Sequence, residues 1–367
     1  MNIDYMSRAL ELAKEGIGYT NPNPLVGAVI VKDNRIIGEG YHKVYGSHHA
    51  EINAFLNANE DVKDATMYIN LEPCSHHGKT PPCTKTIIEK GIKKVIIGLK
   101  DPNPIVSGRG VQTLEEAGIE VVIGILEEEG KKLNEIFIKY ITTKFPFVIM
   151  KTAMTLDGKI ATYTNESKWI TGELSRKYVH ELRHRVTGIM VGIGTVLADD
   201  PSLTTRLEDS KCCDPIRIIV DSSAQIPLEA KVLNLESDAG TIIAVTEKAN
   251  KEKIKMLEKK GAEVIVTPSK EGRVDLSLLM KKLGKRNIDS ILLEGGSELN
   301  YAALEEGIVD KVNVFIAPKI IGGNTAKTPI GGQGKAYIRE AIELERLDFH
   351  RFGEDIMVEA YIRKKGG

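Results

Sequence analysis

The sequence predicts two α/β domains in tandem, and three observations carry the prediction. Apolar runs of strand length alternate with helical repeats through both halves of the chain. A charged stretch over 126–144, closed by Pro146, separates the halves. The chain has 367 residues, the size of two domains at roughly 100–200 residues each. The boundary is set near 144–146, giving domains of 1–145 and 146–367.

In the first half, Ile3, Met6, Leu10, Ala13 and Ile17 recur at steps of three and four, one apolar face of an opening helix. VGAVIV (26–31) and RIIGEG (35–40) flank Lys32-Asp33-Asn34 and read as a hairpin. A helix starts near His49 and carries Ile52, Phe55 and Leu56. Thr66 to Leu71 reads as a buried strand, followed by a loop rich in Pro, Gly, His and Cys and a helix over 84–90. KVIIGL (94–99), a helix over 111–117 and IEVVIG (119–124) complete a mostly parallel sheet covered on both faces. Leu126, Leu133, Ile136, Phe137 and Tyr140 make 126–144 a connecting helix.

The second half opens with the strand FVIMKTAM (147–154). Further buried strands are expected at 188–193, 216–221, 241–246, 262–267, 289–296 and 311–318, with helices near 175–186, 249–259, 275–284 and 297–306. The last apolar run, IMVEAYI (356–362), reads as an antiparallel edge strand.

Composition narrows the function. A net charge of −1 offers no basic footprint for nucleic acid, though a local pocket for one phosphate is compatible with it. Four cysteines in so long a chain, two of them the adjacent Cys212 and Cys213, are no disulfide scaffold. The polar, amphipathic start lacks the apolar core of a signal peptide, and no run approaches the ~18 apolar residues of a membrane span. These features point to a cytoplasmic protein with reduced thiols, free to bind metal.

The sharpest chemical signal is His49-Ala50-Glu51, followed by Pro73-Cys74 and Cys83. One imidazole and two thiolates are three ligands for zinc, and a catalytic zinc keeps its fourth position for water. Glu51, two residues from a ligand, is placed to shuttle a proton from that water to a leaving amine, the logic of zinc nucleobase deaminases. His49 and Glu51 open one helix, and the cysteines precede another, where thiolates are favoured. Eight residues separate the cysteines instead of the two usual in deaminases. A structural zinc, with His76 or His77 as fourth ligand, is the plainer alternative.

In the second half, VGIGTVLADDPSLTTR (191–206) and LLEGGSELN (292–300) are strand–glycine–helix junctions, where backbone N–H groups can approach a phosphate or cofactor. Neither is the dinucleotide fingerprint G-x-G-x-x-G with a following acidic residue, and such turns use glycine anyway. Asp157-Gly158 is by itself a turn signal, and Trp169, the only tryptophan, by itself a core residue.

TNPNPLVGAVIV (20–31), GYHKVYGSHHAE (40–51) and YINLEPCSHHGKTPPC (68–83) resemble the deaminase half of the bacterial riboflavin-biosynthesis bifunctional deaminase/reductase. The long cysteine spacing, with its Gly-Lys-Thr-Pro-Pro insert, belongs to that family. The resemblance implies a cytidine-deaminase-like three-layer fold, zinc on His49, Cys74 and Cys83, and Glu51 as the catalytic proton shuttle. It also brings Asn23, His42, His76 and Lys79 to the substrate: Lys79 as a cation for the ribose phosphate, Asn23 at the pyrimidine edge. Without the family, Lys79 reads as a solvated loop lysine.

MKTAMTLDGKIAT (150–162), SKWITG (167–172) and the two glycine junctions are similar, in order, to the family's reductase half, over roughly 147–323. That implies a dihydrofolate-reductase-like fold with NADPH as cofactor. The cofactor site it implies comprises Met154, Trp169, Thr195, Asp199, Ser222, Gly296, Ser297, Glu298, Leu299, Asn300, Tyr301 and Ala302. It implies Ser167, Arg183, Leu203, Arg206 and Glu294 facing substrate. Arg183 and Arg206 suit a ribose 5-phosphate, and Glu294 a sugar hydroxyl. Two positions depart from the family: Thr155 where serine is common, and Gln225 in SSAQIP (222–227) where arginine is often seen. The preference for NADPH over NADH therefore rests on the family.

The expected activity is zinc-dependent hydrolytic deamination of 2,5-diamino-6-ribosylamino-4(3H)-pyrimidinone 5′-phosphate. NADPH-dependent reduction of the ribosyl group then gives 5-amino-6-(5-phosphoribitylamino)uracil. Its partners are small phosphorylated pyrimidines, not nucleic acid or membrane, and the family implies a homo-oligomer built through the reductase domain. Rivals are a nucleic-acid base deaminase, opposed by the charge and the cysteine spacing, and a zinc-stabilised nucleotide-binding protein without turnover. A chain with one active and one degenerate domain is opposed by the intact motifs in both halves.

Overall fold

The structure, a computed structural model, describes residues 3–75, 81–103, 106–207 and 212–364. The chain divides into two compact units, Met1–Lys144 and Phe145–Gly367.

The first unit runs α1 (Ile3–Lys14), β1 (Gly27–Lys32), β2 (Arg35–Tyr41), α2 (Ala50–Leu56), β3 (Thr66–Leu71), α3 (Cys83–Glu89), β4 (Lys94–Leu99), α4 (Arg109–Glu116), β5 (Glu120–Ile123), α5 (Glu127–Leu133) and α6 (Glu135–Thr143). Its sheet has the order β2-β1-β3-β4-β5. Side chains alternate across it, as strand geometry requires. Ala28, Ile30, Met67, Ile69, Val95 and Ile97 face α2, α3 and α4 through Ala54, Ile87 and Leu114. Val29, Val31, Tyr68 and Ile96 face α1 through Met6, Ala9 and Leu12. The three layers follow directly.

Two expectations need correction here. The sheet is not mostly parallel. β1 pairs antiparallel with both β2 and β3, because the hairpin folds back beside β3, and only β3, β4 and β5 run parallel. The connecting helix over 126–144 is two helices, broken at Asn134. That buried side chain leaves the helical pattern to accept from Leu25 N–H (2.8 Å) and donate to Leu25 O (3.0 Å).

The second unit runs β6 (Phe147–Thr155), α7 (Glu173–Arg185), β7 (Gly188–Gly192), α8 (Ile193–Asp199), β8 (Ile216–Val220), β9 (Thr241–Thr246), α9 (Lys251–Lys259) and β10 (Glu263–Thr267). It continues through β11 (Ser269–Lys270), β12 (Arg273–Val274), α10 (Leu276–Gly284), β13 (Ser290–Leu293), α11 (Ser297–Glu305), β14 (Lys311–Ala317), β15 (Leu344–Phe352) and β16 (Asp355–Ile362). The sheet order is β10-β9-β8-β7-β13-β6-β14-β16-β15, parallel from β10 to β14 and antiparallel beyond. Met190, Ile218, Ile242 and Ala244 pack under α10 and α11. Val191, Ile219, Ile243 and Val245 pack on the other face with Val196 and Leu257.

The final apolar run is antiparallel, but it is not the edge. β16 lies between β14 and β15, and β15 forms the edge. LERLDFHRF is mostly exposed and has no apolar run to announce it. The chain steps outward from β7 to β10, then returns to insert β13 between β7 and β6. Connections thus leave in opposite directions at the β7–β13 border, where open α/β sheets leave a crevice at the carboxyl ends of their strands.

Candidate active sites

His49 is the N-cap of α2, and Cys83 the first residue of α3. Cys74 lies just past β3, and its sulfur accepts the Cys83 backbone N–H at 3.4 Å. His49 Nδ1 lies 3.6 Å from Cys74 Sγ and 3.3 Å from Cys83 Sγ. A tetrahedral ion with Zn–S of about 2.3 Å and Zn–N of about 2.05 Å requires an N···S edge of about 3.6 Å. The donor set and its spacing therefore fit zinc. Glu51, 3% exposed, lies beside the ligands and is not part of the cluster of three ligand atoms. Burial, aided by the neighbouring Cys74, pushes its carboxyl up to about 7. Hydrogen bonds from Cys83 and His49 lower the pKa of Cys74, and the hydrogen bond to Cys74 together with burial raises that of Cys83. A coordinating metal would hold both as thiolates.

His42 Nδ1 donates to the His48 carbonyl at 3.1 Å, so Nε2 accepts from Asn23 Nδ2 at 3.1 Å. Burial lowers the pKa of His42, in keeping with this neutral tautomer. The contact fixes the Asn23 amide, with its oxygen turned away from the ring. Asn70 holds the same loop, accepting from Gly27 N–H at 2.8 Å and donating to Leu25 O at 2.9 Å. Glu72, next to Pro73-Cys74, accepts four backbone N–H groups, from Asp101, Gly108, Gly110 and Val111. Neither Asn70 nor Glu72 was an expected site residue; a polar side chain ending an otherwise apolar strand was the available signal. His76 and Lys79 lie outside the described residues.

The second unit holds a cavity of 1020 Å³ over the carboxyl ends of β7, β8 and β13. Arg183, in the last turn of α7, forks onto Glu294 at 2.7 and 3.1 Å and donates to Thr204 O at 3.0 Å. Lys151 Nζ stands 3.8 Å from Glu294. Burial would raise Glu294, but Arg183 and Lys151 outweigh it and hold the carboxyl at about 2. Burial lowers Lys151. His180 is lowered to about 4 by burial and by Arg183 and Arg206, and its Nδ1 accepts the Arg206 backbone N–H at 3.2 Å. Lys151 and His180 escaped the sequence reading, although a lysine inside VIMKTAM is a buried charge on an apolar strand.

Ser167, Arg183, Leu203, Arg206 and Glu294 all line this cavity. So do Trp169, Thr195, Asp199, Ser222, Gly296, Ser297, Glu298, Leu299 and Ala302. Trp169 is 63% exposed, with the Arg176 guanidinium 4.8 Å from its ring, so it is not the core residue its rarity suggested. Met154, Asn300 and Tyr301 are not on the wall. Asn300 is buried and donates to Pro329 O at 2.9 Å, and Tyr301 packs against Gly332. Thr155 serves where serine is common: its hydroxyl donates to Asp157 at 2.6 Å and accepts Lys159 N–H at 2.9 Å. Asp157 in turn holds the N–H groups of Ile321 and Gly322. Gly192 and Gly296, the N-caps of α8 and α11, supply no side-chain cap. Residues 192–195 and 295–299, at the starts of these helices, line the cavity, and a helix N-terminus suits a phosphate, so these residues fit a dinucleotide cofactor.

A zinc-ligand triad in a three-layer unit, joined to a parallel-sheet unit with a nucleotide-sized crevice, defines a deaminase fused to a reductase. Residues 1–99 match the cytidine and deoxycytidylate deaminase zinc-binding region, and residues 146–358 match the RibD C-terminal domain. The chain is 52% identical to the riboflavin biosynthesis protein RibD of Actinobacillus pleuropneumoniae, over 98% of this chain and 94% of that one. It is 46% identical to RibD of Aquifex aeolicus, over 97% of each. Among solved structures, Acinetobacter baumannii RibD superposes with a TM-score of 0.88 at 36% identity over 99% of each chain. The Thermotoga maritima diaminohydroxyphosphoribosylaminopyrimidine deaminase/5-amino-6-(5-phosphoribosylamino)uracil reductase does so with 0.83 at 41% over 98% of each. The chain belongs to the RibD family of riboflavin-biosynthesis enzymes, a deaminase and a reductase in one polypeptide with zinc and NADPH as cofactors.

Proposed function

We propose that the first unit, 1–145, hydrolyses the amine of 2,5-diamino-6-ribosylamino-4(3H)-pyrimidinone 5′-phosphate, and that the second, 146–367, reduces the ribosyl group of the product. The observation that carries the first reaction is the buried Glu51 beside, but outside, the ligand triad. A structural zinc has no use for a carboxylate there.

His49, Cys74 and Cys83 would hold zinc, which when bound makes a nucleophilic water available near neutral pH. Glu51 takes a proton from that water and returns it to the amine, which leaves as ammonia; a carboxyl poised near 7 both accepts and donates. Asn23, oriented by His42, reads the pyrimidine edge. His76 and Lys79 complete the substrate site, Lys79 as the cation for the phosphate.

In the second unit NADPH, when bound, would supply the hydride that reduces the sugar C1. Arg206 and Arg183 bind the 5-phosphate, and Ser167 and Leu203 flank the sugar. Glu294, kept ionised by Arg183 and Lys151, accepts a hydrogen bond from a sugar hydroxyl. Trp169, Thr195, Asp199, Ser222, Gly296, Ser297, Glu298, Leu299 and Ala302 would hold the cofactor, with Asn300 and Tyr301 on the same helix behind that wall.

Self-association through the second unit belongs to the same proposal. Edge strand β15 exposes Leu347 (53%) and Phe349 (65%) among charged neighbours, on a sheet border open to a second copy. Among the described residues no helix is long and apolar enough to cross a membrane. All four cysteines are free, which suits a cytoplasmic enzyme.

Mass spectrometry of the diamino compound incubated with zinc-loaded protein tests the reading. Exchange of amine for carbonyl without NADPH, and a two-hydrogen gain only with it, is the expected result. An unchanged compound in both samples, with zinc bound, refutes the substrate assignment.

A further inference from the structure

The cavity of the second unit carries cations near both of its ends. Arg183 stands with Glu294, beyond the end of β13, and Arg206 lines the same wall next to His180. Arg273 lies at the other end, next to Ser222, which follows β8. The neighbourhood is fixed by one contact: the backbone N–H of Val274 meets Ser222 Oγ at 3.3 Å. The loop over 222–227, which passes this end, brings no cation of its own.

Arg273 is held on a rigid support. β11 and β12 pair antiparallel, Ser269 with Val274 and Lys270 with Arg273. The two residues between them, Glu271 and Gly272, have φ of 52° and 81°, the left-handed pair that closes a tight two-residue hairpin. Val274 is buried in the core and closes the cavity floor, and Arg273 beside it lines the same cavity with its side chain more than half exposed. Among the described residues its side chain pairs with Glu298, at 3.4 Å, with both side chains more than half exposed. Such a contact is weak and readily exchanged.

We infer that Arg273 reads the 2′-phosphate of the adenosine ribose, with the Ser222 hydroxyl beside it, and so selects NADPH over NADH. The inference rests on the reading of this cavity as the NADPH site. A planar fork of donors suits a phosphate monoester, and an exposed carboxylate is a weak competitor for it. Arg183 and Lys231 have carboxylate partners of their own, the second through an exposed contact no stronger than that of Arg273, so Lys231 is tested beside it. Arg183 is forked onto Glu294. Lys231 meets Asp200 through both its backbone N–H (2.8 Å) and its Nζ (3.6 Å). Lys327 belongs to the β6 side, where its carbonyl accepts from Ile160.

Trp169, the sole tryptophan, lines the same cavity, so its emission reports nicotinamide binding without turnover. The full chain is titrated with NADPH and with NADH, as wild type, R273A, R273K and K231A, each first checked for an unchanged melting transition. R273A is expected to weaken NADPH by about 10- to 100-fold, the value of a charge-assisted hydrogen bond, and to leave NADH unchanged. R273K should recover part of the loss. Equal weakening of both cofactors in R273A, no weakening of either, or selective loss in K231A overturns the inference. So does a wild type that binds the two equally, which leaves the cofactor site itself standing. A wild type that binds neither overturns the cofactor reading as well.

Discussion

Replacing Glu294 by glutamine should destabilise the second unit by an amount that depends on pH in a defined way. Glu294 is buried, takes both arms of Arg183 at 2.7 and 3.1 Å, and has Lys151 at 3.8 Å. Its carboxyl is held at about 2 against an ordinary 4.5. At about 1.4 kcal/mol for each tenfold in proton affinity, that is about 3 kcal/mol of folding free energy. A group depressed on folding stabilises fully above its unfolded pKa and loses that stabilisation as pH falls towards its folded one. The wild-type advantage over E294Q should thus be about 3 kcal/mol at pH 7, begin to shrink near pH 4.5 and be largely gone near 2. Removing one partner of a buried pair costs about 3–5 kcal/mol in general, a figure of the same size. The assay is urea unfolding of the full chain at a series of pH values, with amide protection of β7 and β13 read by mass spectrometry. These strands flank Glu294 and separate the second unit's transition from the first's. A difference below about 1 kcal/mol at pH 7, or one that stays flat between pH 5 and 3, would refute the pairing as the source of the depressed pKa.

Other substitutions test other parts of the reasoning. E51Q should abolish deamination while leaving zinc bound, read by metal analysis beside an activity assay; lost zinc would mean that Glu51 is a ligand. C83S should lower zinc content and deamination together and leave hydride transfer to a supplied deaminated substrate intact. N70L should cost about 2–3 kcal/mol, because Gly27 N–H loses its buried acceptor, and should raise the KM of deamination by displacing the loop of Asn23. G332A should destabilise the second unit, since its φ is 70° and a Cβ there collides with the Tyr301 ring; an unchanged melting temperature would show that the loop can move aside.

The layers of both units were legible because buried parallel strands are short, apolar and bounded by turns. β3, β4, β7, β9 and β13 all satisfy that pattern, and their alternation appears directly in the two-sided cores. β15 was not legible because an edge strand need not be apolar. The break at Asn134 was missed because its cause lies outside the local sequence, in the backbone of Leu25. The same distinction runs through the sites. His49, Glu51, Cys74 and Cys83 form a spacing that carries its own chemistry. Lys151, His180 and Glu72 acquire meaning only from partners distant in sequence. Arg273 belongs to the second kind: nothing in its sequence surroundings separates it from an ordinary surface arginine, and only the hairpin brings it to Ser222.

A chain of net charge −1 can still serve anionic substrates because its charges are arranged locally. Arg183 and Lys151 face one carboxylate, Glu294, and Arg206 stands beside His180 on the same wall, which leaves positive charge in excess where a phosphate would sit. That carboxylate also offsets the cost of burying the cations, because Arg183 and Lys151 without a partner would be uncompensated buried charges. Glu294 therefore couples two requirements, folding of the strand ends and recognition of the sugar phosphate. The coupling gives a consequence that separates it from a purely structural pair. In E294Q, Arg183 keeps its charge but loses half its fork, so phosphate should bind no worse while the unit becomes less stable. If inorganic phosphate instead competes less well with substrate in E294Q than in wild type, the carboxylate acts by positioning Arg183 rather than by neutralising it.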